Sequence, residues 1–316
     1  MQNPFWTSGP VPPAYLDGLA LPRPAAMATV LGALRRDGFA WLGGPPGSGR
    51  STFLRQLAAE LRRDALVVDG QALLHGDEEE YRTALAGPRR EAASSWIELG
   101  RHLAPSAPLL AFDGAPAGSE TWVRQATRDL RLPLVLVAPG GLALDSVGDV
   151  AAGLFLQRRA RLARLAWAPS ALAETVRLAA GDLESLQRLG AACSEAARSA
   201  DVSTIGEAEL AEGAVAVSSN LPGAAGRNLA GVHGARLRLL KAMVRDPDGS
   251  PTSWARRCHL EPKAAVVHLR RLCTEDGLVA RLGRGLYRAA PLVALHLQAR
   301  AQSPVQRIPS RALVRG

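Results

Sequence analysis

An α/β fold, with a parallel sheet in the first half, a helical stretch behind it and a basic helix-and-hairpin module at the end, is predicted by three features of this 316-residue chain. Apolar runs at 39–42, 65–68, 108–113 and 134–137 alternate with helical segments of ten or more residues, as in doubly wound sheets with right-handed crossovers. A glycine-rich loop, Gly44-Pro45-Pro46-Gly47-Ser48-Gly49-Arg50-Ser51, joins the first run to its helix. Beyond about residue 160 strong strand signals cease, and beyond 231 the charge turns strongly positive.

In chain order, residues 1–23 form a Pro-rich leader and a helix is predicted from about Pro24 to Arg36. The strand Phe39 to Leu42 runs into the glycine loop, and a helix follows from about Ser51 to Arg63. The second strand, Ala65 to Val68, stops at the turn signal Asp69-Gly70. The four acids Asp77 to Glu80 suit a helix start, where the dipole favours negative charge. A helix from about Glu91 to Leu103 leads to Pro108 to Asp113, an apolar run of the kind buried on both faces of a parallel sheet. A helix at 119–129 precedes the last strand, Leu134 to Val137, which ends at Pro139-Gly140-Gly141. Helices begin at Pro169, near Gly181-Asp182 and near Glu207, and Leu221 to Gly226 reads as a linker. The domains expected are thus 24–160, a helical unit at 161–222 and a terminal module at 231–298, with a disordered basic tail at 299–316.

The loop fits G-x-x-x-x-G-K-[ST] except for Arg50, which stands where lysine is expected. Glycines let such a loop curl its N–H groups inward, and a helix N-terminus behind it favours a phosphate chain. The candidate nucleotide-binding residues are Gly44, Pro45, Pro46, Gly47, Ser48, Gly49, Arg50, Ser51 and Thr52. Ser51 and Asp113 are the candidate Mg ligands, Asp113 lying at the carboxyl end of its strand, where open α/β sheets bind ligands. Arg50 is a planar fork rather than a compact point charge, so phosphate binding with slow turnover is expected. Only Lys241 and Lys263 among the 38 basic residues are lysines, so a general arginine bias also accounts for this position.

Charge divides the chain. Residues 1–150 hold 14 Lys or Arg against 16 Asp or Glu, 151–230 hold eight of each, and 231–316 hold 16 against five, so the net +9 splits as −2, 0 and +11. A basic end on a near-neutral body is the footprint of a nucleic-acid-binding module, with an arginine-rich solvated surface or a site for an acidic protein as the alternatives. Residues 233–290 read as three helices and a two-stranded wing. Leu237, Leu240 and Val244 would face inward on the first helix, and Trp254 on the second. The third would bury Val266, Leu269, Leu272 and Cys273, leaving Lys263, Arg270 and Arg271 to meet a DNA groove. Arg256 and Arg257, with Arg281, Arg284 and Arg288 of the wing, complete the expected double-stranded DNA contacts, and winged helices also serve as protein-contact domains.

With 47% hydrophobic and 21% charged residues the composition is that of a globular protein, and no apolar run is long enough to span a bilayer. Three scattered cysteines and no evident secretory signal lead to a cytoplasmic expectation with no membrane partner. Cys258, His259, His268 and Cys273 match no common zinc spacing.

Together these elements resemble the AAA+ and STAND-type P-loop ATPases that end in a winged helix, including the archaeal ATPase group and the origin-recognition initiators. The resemblance covers nearly the whole chain: Pro4-Phe5-Trp6 and Gly9 to Pro13 look like the leader, Gly44 to Ser51 like Walker A, Leu109 to Asp113 like Walker B, and Gly181-Asp182-Leu183 like the lid element. It implies an α/β P-loop NTPase sheet followed by a helical lid and a winged-helix domain, with ATP or ADP and Mg as cofactors. Against the family pattern, Arg50 replaces lysine, Gly114 follows Walker B in place of an acid, Ala138-Pro139 offers no polar sensor, and Glu184 stands where a lid arginine is expected. Arg158, Arg159 and Arg161 would either serve a neighbouring subunit's nucleotide or, the favoured reading, form a solvated basic face. Three functions follow as expectations: a nucleotide-responsive DNA-binding regulator with weak or absent hydrolysis, a pseudo-ATPase adaptor that assembles with protein partners, or a modest DNA-associated ATPase or loader.

Overall fold

The computed structural model describes Phe5 and residues 16–44, 48–70, 77–87, 93–116, 118–138, 140–144, 147–274 and 276–302. The first half contains α1 (Leu16–Leu19), α2 (Pro24–Asp37), β1 (Phe39–Gly43), α3 (Arg50–Leu61), β2 (Ala65–Asp69), α4 (Glu78–Ala86), α5 (Trp96–Leu103), β3 (Leu109–Asp113), α6 (Glu120–Leu130), β4 (Leu134–Val137), β5 (Leu142–Ala143) and α7 (Asp149–Leu162). The five strands form one parallel sheet in the order β2-β3-β4-β1-β5. Alternating residues explain why the runs are apolar throughout. Leu110 and Phe112 of β3 join one core with Leu134 and Leu136, whereas Leu109 and Ala111 join the opposite core with Val135 and Val137. Both faces are covered, so no strand position in the centre of the sheet is free to be polar.

Local chemistry sets the helix ends. Pro24 opens α2, and Gly38 closes it at φ 65°, its N–H bonded to Leu34 O. Asp77 caps α4 through Glu80 N at 2.9 Å, as the acidic run suggested. The helix predicted from Glu91 begins instead at Trp96, because Ser95 accepts from Glu98 N at 3.3 Å while Glu98 Oε2 reaches back to Ser94 N at 2.8 Å. Glu91 itself, the leader residues Pro4, Trp6 and Gly9 to Pro13, and Pro139 lie outside the described residues.

The middle of the chain comprises β6 (Ala166–Trp167), α8 (Pro169–Ala179), α9 (Leu183–Ser199), β7 (Thr204–Ile205) and α10 (Glu207–Ser219). The two-residue strands β6 and β7 pair in parallel, which no sequence period announced. The predicted linker at 221–226 runs into a helix, α11 (Gly223–Ala230), led by Pro222 at its N-cap.

The end of the chain folds as α12 (Gly234–Arg245), α13 (Pro251–Arg257), α14 (Pro262–Thr274), the antiparallel pair β8 (Val279–Gly283) and β9 (Leu286–Ala289), and α15 (Pro291–Gln302). Trp254 is fully buried and donates its indole N–H to Asp246 O at 2.9 Å. On α12 the buried stripe is Leu239, Leu240 and Met243 with Val244, and Leu237 is only partly buried, a shift in phase from the expectation. On α14 Leu269 and Leu272 are buried as expected, with Ala265, while Val266 and Cys273 are half-buried. The helix α15 runs to Gln302, so residues 299–302 are helical and not part of a disordered tail; residues 303–316 lie outside the described residues.

Candidate functional site

The glycine loop leaves β1 at Gly44, φ +114°, and enters α3 through Gly49, φ +87°, conformations that side-chain-bearing residues rarely adopt. Pro45, Pro46 and Gly47 lie outside the described residues. No side chain caps α3, so its N-terminal turn keeps the amide-rich end that attracts anions. Ser48 is buried, and its hydroxyl has no partner among the described residues.

Ser51, in the first turn of α3, donates its hydroxyl to Asp113 Oδ2 at 2.7 Å, so helix start and β3 end meet as the sequence suggested. Asp69 stands in register with Asp113 at the end of the neighbouring strand. Hydroxyl and carboxylate oxygens side by side are a hard-cation donor pair, and with the uncapped helix end and the buried Ser48 hydroxyl they fit a Mg-polyphosphate. Thr52 follows on α3. Arg50 turns back and donates from Nη1 to Gly44 O at 3.2 Å, so its guanidinium lies along its own loop.

Two contacts were invisible in sequence. Arg23, from the leader, donates Nη2 to Ser48 O at 2.8 Å and braces the loop from outside. Leu183, the first residue of α9, sits so close that a Cβ on Gly49 would lie 2.8 Å from its Cδ2. The start of α9, capped by Asp182 through Ser185 N at 2.8 Å, is thereby held on the glycine loop.

Elements of phosphoryl chemistry are missing from their expected places. After Asp113 the chain turns at Gly114, φ +78°, and the N–H groups of Gly114 and Ala115 both bond Val137 O, at 3.1 and 3.0 Å. Just past β4, which ends at Val137, Ala138 is buried, and its carbonyl accepts from Trp41 Nε1 at 3.2 Å. Glu184 pairs with Arg188 at 3.5 Å, one turn along α9. Arg159 corrects the expectation of a solvated face: it is fully buried, lies 4.3 Å from the Phe155 ring centroid and donates Nη2 to Leu19 O at 3.4 Å, tying α7 to α1. Burial pulls its guanidinium down to about 10, still charged at neutral pH.

Arg256, Arg257, Lys263, Arg270, Arg271, Arg281, Arg284 and Arg288 are all exposed on α13, α14 and the hairpin. Arg257 is held by Asp246 at 3.1 Å, and Arg281 Nε reaches Gly283 O at 3.3 Å. Among the described residues no helix is long and apolar enough to cross a membrane, and no group of three or more His, Cys, Asp or Glu gathers as a metal site.

The parallel sheet, with helices on both faces and the glycine loop entering α3, is the α/β P-loop NTPase fold. The Aeropyrum pernix ORC2 protein, solved as ADPNP–ADP complexes, has a similar structure at TM-score 0.58 and 13% identity, over 88% of this chain and 93% of that one. Two further solved structures are similar at TM-score 0.49: the Thermotoga maritima RuvB Holliday junction branch migration motor, at 16% identity over 86% of this chain and 92% of that one, and Cdc6p from Pyrobaculum aerophilum, at 18% over 92% and 97%. No protein-family model matches this sequence, and neither does any curated protein.

Proposed function

We propose that this chain is a nucleotide-responsive DNA-binding regulator of the AAA+/STAND kind, binding ATP or ADP with Mg at the glycine loop and duplex DNA through a C-terminal winged helix, with weak or absent hydrolysis. The observation that carries the reading is the contact of Leu183 with Gly49 beside the Ser51–Asp113 pair. A phosphate chain in the loop would be felt at once by α9. Bound nucleotide supplies a polyphosphate whose charge Mg partly neutralises. Ser51 and Asp113 would hold the ion, the α3 amides would face the phosphates, and Arg50 would exchange Gly44 O for a phosphate oxygen. A ligand shifts a protein between arrangements only by binding them unequally, and the lid contact gives nucleotide a means to do so. Slow turnover follows from Gly114 and Ala138, which put no acid or polar side chain where the attacking water would need one.

The same two positions favour the second reading, a pseudo-ATPase adaptor that keeps the fold for assembly. Equilibrium titration with a fluorescent ATP analogue and Mg separates the two. The regulator reading expects saturable micromolar binding that Gly49→Asp abolishes, and no saturable binding in the wild type would leave the adaptor. Titration of duplex DNA at about 50 and about 200 mM salt tests the other half, because phosphate contacts weaken steeply with salt.

A further inference from the structure

Two cavities meet where the helical middle joins the basic end of the chain. The first, of about 570 Å³, lies between α11, α12 and α15. The second, of about 500 Å³, lies between α9, the last residue of α10, α11 and α15. Leu229, Ala230, His296 and Arg300 line both, so the two are lobes of one cleft.

Helical spacing explains what the first lobe presents. On α12, Leu237, Lys241, Val244 and Arg245 recur at i, i+4, i+7 and i+8, and on α15 His296, Leu297, Arg300 and Ala301 share the facing stripe. Each helix thus brings apolar side chains and cations to the same space. Lys241, Arg245 and Arg300 are exposed, and none of the three joins an ion pair among the described residues. No Asp or Glu of the described residues lines this lobe, and in the second Glu184 is held by Arg188 at 3.5 Å. Like charges one helical turn apart, as in Lys241 and Arg245, repel each other, and an anion beside them relieves that repulsion. His296 supplies a polar group in the wall between the lobes. It is only 7% exposed; Ser218 O can only accept, so Nδ1 donates to it and ties α15 to α10, and Nε2 has no hydrogen-bond partner among the described residues.

Ligand sites are concave, mostly apolar and about 300–1,000 Å³ in volume, with a few polar groups that fix orientation. An apolar floor with unpaired cations selects by both features. A neutral apolar molecule leaves the charges unanswered, and an inorganic anion leaves the floor wet. Duplex DNA is too wide to enter a cleft of this size. We propose that the cleft binds a small amphipathic anion, a carboxylate or phosphate head on an apolar body. The body lies against Leu229, Leu237 and Leu297, and the head is held by Lys241, Arg245 and Arg300. Because α9, α11, α12 and α15 all contribute to the walls, such a ligand bridges the helical middle and the basic module. The site stands apart from the glycine loop and requires neither nucleotide nor DNA.

The test uses the full chain and the fluorescent probe anilinonaphthalene sulfonate, itself an apolar body with one anionic head. Saturable binding is expected, with octanoate or octyl phosphate displacing the probe and octanol at equal concentration leaving it bound. The more effective of the two anions identifies the head. Ala230→Trp, which fills the cleft from an exposed position, and Lys241→Glu with Arg300→Glu, which reverses its charge, should each weaken probe binding by about tenfold or more. Unchanged circular dichroism and melting will show that the folds are intact, and the charge variant, confined to exposed side chains, keeps the test valid if the tryptophan variant unfolds. Absence of saturable binding, or equal binding by wild type and the charge variant, overturns the proposal. Displacement by octanol as readily as by octanoate also overturns it, since the cations would then select nothing. Charge reversal that alters self-association in sedimentation, in a chain that does not bind the probe, overturns it in favour of a contact between copies.

Discussion

Arg50 concentrates the chemistry of the glycine loop in one side chain. Its guanidinium already has a neutral acceptor, Gly44 O at 3.2 Å, so on the proposed reading a phosphate would have to compete with a bond made within the loop. An ammonium is compact and would reach the outer phosphates without forked geometry. We expect Arg50→Lys to tighten nucleotide binding by roughly tenfold, the worth of one charge-assisted hydrogen bond, with hydrolysis still weak or absent because Gly114 and Ala138 are unchanged. Weaker binding in a calorimetric titration would show instead that the loop is built around arginine. Cys193 offers a separate check, in the core of the helical middle. Burial pushes its thiol from 9.0 up to about 12, so the folded chain keeps a proton that the unfolded chain releases. Stability is then lost as pH rises from about 9 toward about 12, and Cys193→Ala should flatten that part of a denaturation-midpoint profile. A profile unchanged by the substitution would exclude Cys193 as the cause.

At the scale of elements, the helices of the middle region depend on close approach. A Cβ on Gly213 of α10 would lie 2.7 Å from Cys193 Sγ and 2.9 Å from Cys193 N on α9. Gly213→Ala should therefore destabilise by about 1–3 kcal/mol in urea denaturation, the usual cost of overpacking. Arg159→Ala should cost roughly 2–4 kcal/mol through lost packing on Phe155 and a deserted Leu19 carbonyl, with loosening of α1 visible as faster hydrogen exchange. The strands β1, β3 and β4 were legible because they are buried on both faces and so apolar nearly without interruption, whereas β2, at the sheet edge, is apolar from Ala65 to Val68 although Val67 is exposed. Strands of two residues such as β5, β6 and β7 have no period to detect. Arg159 was misread for another reason: in a run of three arginines at 158, 159 and 161, charge suggests solvent, yet 155, 156, 159 and 160 share a helix face and all are buried. Within the candidate site, Ser51 and Asp113 were legible because glycine spacing and a strand-end carboxylate have fixed places in such sheets. Arg23 and Leu183 were not, since both reach the loop from segments distant in sequence.

The whole molecule joins a near-neutral sheet and helical middle to a terminal module of net charge +11, counted as 16 basic less five acidic residues in 231–316. The helix α9, seated on the glycine loop at Leu183, packs against α10, and α10 packs against α15. A continuous path of packed helices thus runs from the glycine loop to the basic module, and a shift at its first contact has elements through which to act. Contiguity alone is not coupling, and thermodynamic reciprocity provides the test. The direct measurement is the Kd of the full chain for duplex DNA with and without saturating Mg-ATP, alongside its Kd for a fluorescent ATP analogue with and without saturating DNA. The regulator reading predicts that both constants change by the same factor, about 5- to 150-fold, and that Gly49→Asp abolishes the change while leaving DNA binding itself in place. Nucleotide and DNA that each bind with constants indifferent to the other would contradict it.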